Sequence, residues 1–430
     1  MCLVGYGLLL ATLGSAAVFL GPGSARADTE QHVWVHYDYM VAADGTSYAP
    51  DPRGIDLVVQ AFAAHGIDLH VDPQHTAIPN PDNEVVAFDV GTPNYPGQEG
   101  CSQPFVKFST LKSEYFHPIS NHEWHYAVFA PGICGGYGGF AQLPGDDFVV
   151  AMLPVSQLIG GVAPFWDGGT FMHELGHNLG LHHGGDVDAN WKPNYISVMN
   201  YFFQVGIPYA NTPGSTDIAS YRLDYSEQAL PTLDENNLDE RQGIGATGST
   251  DISYYLNSLD DYVPVPVSGP TDWNHDGVIE PDVRVDLDPP PGCGSPCGYE
   301  QMTGFNDWPA VHAYLAGQPP PGPRTVAIEP PDDQPLVTGV SPATGPSSGG
   351  TAVTITGIHL KNVDAVNFGP CPTSTFTVVN EHTITALSPA CDNIFDVGPT
   401  AAINVTVSAG SSLSPPSPGD LFTYALTLTQ

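Results

Sequence analysis

Apolar positions in the first third of the chain recur with two periods, and each predicts a different element. Ile55, Val58, Val59 and Phe62 fall at i, i+3, i+4 and i+7, one face of a helix. Asp51-Pro52 just ahead supplies a cap and a proline, which suits the first turn because its missing amide is not needed there. Before that helix Val33-Trp34-Val35-His36-Tyr37 has strand composition, and after it Ile67-Asp68-Leu69-His70-Val71 alternates. Strand, helix, strand predicts a sheet with the helical stripe laid against it. Tyr126-Ala127-Val128-Phe129 predicts a further strand, and residues 148–153 form a continuous apolar run of the buried kind.

After Phe202 the pattern dissolves into an irregular stretch, rich in Asp, Asn, Gly and Tyr, that runs to about Gly317. Residues 319–335 are proline-dense and predict an extended linker. Beyond them, short β-branched runs at 340–357, 365–369, 383–386 and 422–424 are divided by Gly/Pro turns, which predicts an all-β sandwich.

Length and composition then set bounds. The 430 residues allow two or three domains, and 41% apolar content suffices for a large core. The net charge of −36 repels nucleic acid and anionic membranes, so neither is an expected partner. Residues 8–20 are apolar, followed by Gly21-Pro22-Gly23 and Ala25-Arg26-Ala27. This predicts a secretory signal peptide over residues 1–27, cut before Asp28, although no Lys or Arg precedes the apolar run. That run is short for a membrane span, so a secreted chain without stable membrane insertion is expected. Seven cysteines include Cys2, which leaves with the signal. The other six suit disulfides, most simply as the local pairs Cys101–Cys134, Cys293–Cys297 and Cys371–Cys391. A zinc site at Cys293 and Cys297 lacks two further ligands nearby.

The candidate chemistry lies in Phe171-Met172-His173-Glu174-Leu175-Gly176-His177-Asn178-Leu179-Gly180-Leu181-His182-His183. His173 and His177 are four apart, which on a helix puts both imidazoles on one face, one turn apart. Glu174 sits beside that pair, placed to take a proton from water at a metal. Gly180 suits a left-handed helix end, after which the chain can return His183 as a third ligand. His182 competes for that place, and the helix-plus-turn spacing favours His183. Three neutral imidazoles leave one tetrahedral position open, the layout of a catalytic zinc site.

This stretch resembles the zinc motif of metzincin metalloproteases, H-E-x-x-H-x-x-G-x-x-H, and Ser197-Val198-Met199-Asn200-Tyr201 resembles their Met-turn. The resemblance implies zinc on His173, His177 and His183, Glu174 as general base and Met199 as the apolar floor. It gives Tyr201 the role of the tyrosine that helps stabilise the oxyanion in astacins and serralysins. Gly184-Gly185 departs from several branches and leaves the subfamily open. The implied fold is an α+β metzincin-like domain over residues 28–318, a twisted mixed sheet with helices and a zinc cleft. Its upper subdomain runs to about residue 183 and its lower subdomain follows. The glycine-dense residues 135–145 would lie where metzincins run an edge strand, and an exposed edge binds extended peptide through main-chain hydrogen bonds. The first strand begins soon after Asp28, so no latch-bearing pro-segment is expected. His122-Glu123-Trp124-His125 has the wrong spacing for a second zinc motif and leads into a strand, so structural or solvated roles are expected.

Two further stretches carry expectations. Asp272, Asn274, Asp276 and Glu280, with Gly277 at the turn, resemble a calcium loop of the EF-hand or dockerin type. Val283 stands where the closing acid belongs, so calcium competes with a plain Asx-rich turn. Residues 336–426 resemble an IPT/TIG immunoglobulin-like domain through S-P-x-x-G-P-x-x-G-G-T-x-V-T-I-x-G, which implies a spacer or a module binding protein or glycan. The expected function is a secreted zinc metalloendopeptidase acting on protein or peptide. The alternative is an extracellular surface or matrix binding protein whose zinc site is structural or vestigial.

Overall fold

The computed structural model describes residues 31–90, 101, 104–120, 122–134, 138–152, 163–208, 221–247, 251–256, 262–288, 299–317, 325–328, 335–380, 382–391, 400–410, 412–414 and 419–426. The expected signal peptide and the Cys293–Cys297 pair lie outside them. The architecture is mostly β-sheet with few helices.

A seven-stranded sheet organises the first part. Its spine is the strand Gln31–Ala42, nearly the whole run from 33 to 40 being buried. Ile67–Val71, Ala77–Asn80 and Trp124–Ala130 all pair with it in parallel. Parallel strands are covered on both faces, which is why Trp124–Ala130 and the next strand, Asp147–Ala151, read as nearly continuous apolar runs. The helix Pro52–Ala64 makes the crossover between Gln31–Ala42 and Ile67–Val71. Asp51 caps it, its side chain accepting from the Arg53 amide at 2.9 Å. Ile55, Val58 and Phe62 of the expected stripe are buried, with Ala61 beside them. The helix Ala163–Asn178 packs against the same helix and against the strands Gly139–Leu143 and Asp147–Ala151.

One difference from the sequence reading bears on the site. The strand Gly139–Leu143 is not an edge. It pairs antiparallel with Asp147–Ala151 on one side and with Thr325–Ile328 on the other. The second partner comes from the stretch expected to be only linker. Thr325-Val326-Ala327-Ile328 is a mostly β-branched run free of proline in an otherwise proline-dense segment, so its amides can join a ladder.

A smaller core gathers Leu233, Leu238, Ile244, Tyr255, Val265, Trp273 and Leu287. The helix Asp307–Leu315 returns Trp308 and Val311 to the first core, Trp308 lying edge-on to Phe62 at 5.2 Å. Residues 335–426 form two facing sheets, of four and six strands among the described residues. Val353, Ile355, Phe368, Ile384, Val405 and Phe422 lie between them. Leu413 of this sandwich joins Phe202, Phe203, Ile207 and Tyr254 in a shared apolar cluster. Disulfides join Cys101 to Cys134 and Cys371 to Cys391. Among the described residues no helix is long and apolar enough to cross a membrane.

Candidate metal centre

His173, Glu174 and His177 are wholly buried on the helix Ala163–Asn178. Gly180, at φ +91°, ends it. The Leu181 amide donates back to Gly176 O and the Gly180 amide to His177 O, both at 2.9 Å, the paired bonds of a left-handed helix cap. The reversed chain then brings His183 to the first two histidines, and ligating atoms of all three lie within 4.8 Å of one another. Nε2 of His173 and Nε2 of His177 are 3.0 Å apart. Their outer nitrogens are pinned: Nδ1 of His173 donates to Val198 O at 2.6 Å and Nδ1 of His177 to Leu181 O at 2.7 Å. Each bond fixes the tautomer and leaves the Nε2 lone pair facing the shared point. His182 turns elsewhere, donating from Nδ1 to Asp188 Oδ1 at 2.6 Å, so His183 is the histidine that completes the group.

The other expected residues surround this point. Met199 is fully buried, and its sulfur lies so close to Gly176 that a Cβ there would stand 2.4 Å from it. Met199 therefore sits directly beneath the turn of helix between His173 and His177. Tyr201 Oη is 3.1 Å from His183 Nε2. Glu174 packs against Gly139, where a Cβ would fall 1.7 Å from its Oε1. The sheet strand can approach the carboxylate only because residue 139 has no side chain.

Sequence reasoning missed the support. Asp307 accepts from Tyr195 Oη at 2.8 Å, from Ser197 Oγ at 2.6 Å and from the Ser226 amide at 2.9 Å. Burial pushes its carboxyl up to about 6, against those bonds. It holds the turn whose Val198 carbonyl orients His173. No local pattern marks it, because its partners on that turn lie more than a hundred residues away. His122 stacks on Trp34 at 3.7 Å and His125 bonds Asn178 Oδ1 at 3.0 Å, both away from the centre.

The 272–280 loop is held by its own backbone. Asp272 Oδ2 accepts from the Gly277 amide at 2.9 Å, Asn274 Oδ1 from Asp276 at 3.0 Å, and Asp276 Oδ1 from Val278 at 2.8 Å. Buried Glu240 accepts from the Trp273 and Glu280 amides at 2.8 and 3.1 Å. Among the described residues, the tight groups of ligating side chains do not include this loop.

Comparisons with known proteins bear on the C-terminal part. Residues 335–424 match the family model of the IPT/TIG domain. They form an IPT/TIG domain. The two-sheet architecture agrees, and the match lies within two residues of the limits read from the S-P-x-x-G-P pattern. The search of curated proteins found no match. Among solved structures, the chain is similar to the full extracellular region of plexin A4, at 13% identity over 46% of this chain and 17% of that one, with a TM-score of 0.18. A crystal structure with xylogluco-oligosaccharide shares 17% identity over 46% of this chain and 34% of that one, at a TM-score of 0.16. The chain thus spans about a sixth and a third of those two.

Proposed function

We propose that the chain is an exported zinc metalloendopeptidase of the metzincin kind, joined to an IPT/TIG domain. The observation that carries this is the convergence of His173, His177 and His183 on one point with Glu174 buried beside it. The donor set fits zinc: neutral imidazoles oriented through their outer nitrogens suit it, and an all-histidine group does not suit calcium or magnesium. When bound there, zinc would act as a Lewis acid, making water acidic near neutral pH and polarising the scissile carbonyl. Glu174 then works as general base and acid, accepting the proton of the attacking water and passing it to the departing amine. Tyr201 lends its hydroxyl to the oxyanion, a role worth about 3 kcal/mol. The two disulfides support an oxidising, extracellular setting. Calcium at the 272–280 loop, and a protein or glycan ligand for the IPT/TIG domain, belong to the same proposal.

The test is Glu174→Gln. The variant should keep its zinc and lose chelator-sensitive cleavage of casein or gelatin; turnover equal to wild type removes the mechanism. One observation favours a second reading. Thr325–Ile328 already occupies the sheet edge that an extended peptide would use. On that reading the chain is an extracellular binding protein with a vestigial zinc site, and wild type cleaves nothing.

A further inference from the structure

A second cluster of ligating side chains stands at the far edge of the large sheet. Parallel pairing sets His32 opposite Asp68 and Trp34 opposite His70. Alternate residues of a strand share a face, so all four project from one side of the sheet. His32 Nδ1 is 3.0 Å from His70 Nε2, His70 Nε2 is 3.2 Å from Asp68 Oδ2, and His32 Nδ1 is 3.7 Å from that same oxygen. Donors around a tetrahedral zinc, at bonds of about 2.0–2.2 Å, stand about 3.3–3.5 Å apart. The triangle therefore has the size of one face of such a sphere. It also matches the centre already described, where two imidazole nitrogens are likewise 3.0 Å apart.

Hydrogen bonds within the triangle account for it less well. A single proton on His70 Nε2 can serve both His32 and Asp68 only as a fork, weaker to each than a direct bond. The 3.7 Å from His32 to Asp68 is too long for a bond. One cation answers all three lone pairs together. Trp34 stacks on His70 at 3.8 Å and on His122 at 3.7 Å, which fixes the His70 ring as outer-shell neighbours fix metal-bound imidazoles. The three ligating side chains are between 30% and 50% exposed, so water can complete the coordination.

We propose that His32, Asp68 and His70 form a second, solvent-open metal site that takes zinc and clamps the start of the first strand to the sheet's edge strand. Two imidazoles and one carboxylate suit a borderline divalent ion; nickel and copper share the preference, while calcium and magnesium do not. The proposal does not depend on the proteolytic reading.

The test counts zinc per chain by plasma mass spectrometry on the full-length protein, saturated with zinc and dialysed. Wild type should hold two. His70→Ala and His177→Ala should each halve that count, through different sites. Asp68→Asn, nearly isosteric, should weaken zinc retention without unfolding the sheet. Zinc should raise the melting temperature of His177→Ala and leave the double variant His70→Ala/His177→Ala unmoved. A wild-type count that His70→Ala does not change overturns the site. A count of one that His70→Ala abolishes keeps this site and removes the catalytic zinc instead.

Discussion

Gly139 and Glu174 meet at a single point where the smallest side chain decides the chemistry. A methyl at residue 139 would sit 1.7 Å from Glu174 Oε1, so the carboxylate must move. On the proteolytic reading, Gly139→Ala should lower kcat by at least about 100-fold, the usual worth of a positioned general base, while zinc content stays unchanged. Steady-state kinetics and metal analysis on one preparation check both halves. His36 makes a different kind of prediction. It is buried with Nδ1 2.9 Å from Asp72 Oδ2 and Nε2 3.3 Å from Asp38 Oδ1. Burial works to lower its pKa, but the two carboxylates outweigh burial and hold it above the ordinary 6.5. A raised histidine pKa gives stability that is complete below the unfolded value and fades as pH rises through the folded one. His36→Asn should cost about 3–5 kcal/mol at pH about 5, and the gap to wild type should narrow by pH about 9. Melting temperatures across that range would show it; a constant gap means the imidazole carries no charge.

Thr325–Ile328 is the element whose role bears most on function. It takes the hydrogen-bonding edge beside Gly139–Leu143, the strand that touches Glu174. If extended peptides use that edge, the chain's own strand competes with them. Replacing residues 325–328 by Gly-Ser-Gly-Ser should raise kcat/KM for a peptide substrate on the order of tenfold, the effect of removing about 1.4 kcal/mol of competition. An unchanged value means that substrate reaches the three histidines by another route. The strand was poorly legible because proline density read as linker. Its four β-branched or small residues are too short a run to declare themselves without the partner strand. By contrast the start and the buried face of the helix Pro52–Ala64 are legible, since cap, proline and three of the four stripe residues agree locally, Val59 being only partly buried.

At the scale of the molecule, the IPT/TIG domain is joined by more than its linker. Leu413 packs with Phe202, Phe203, Ile207 and Tyr254, and Phe202 and Phe203 directly follow Tyr201. The domain therefore leans on the segment that presents Tyr201 to His183. Losing that buried leucine costs about 2 kcal/mol, before the added cost of burying a charge. Leu413→Asp should lower the melting of the domain by on the order of 10 °C, read by calorimetry. If the transition stays where it is, the contact contributes nothing to stability.

The sequence alone determined what depends on neighbours along the chain. It determined the helix that carries His173 and His177, the glycine that ends it, the return of His183, and the turn-divided strands of the IPT/TIG domain. Those follow from backbone periodicity and local sterics, which a few residues settle among themselves. Only the tertiary structure decided what depends on residues far apart in the chain. It set Asp307 under the turn that orients His173, Gly139 against Glu174, a linker strand along the sheet, and His32 beside Asp68 and His70. The physical reason is that burial and strand pairing bring these groups together after the elements exist, and no spacing along the chain records which surfaces will meet.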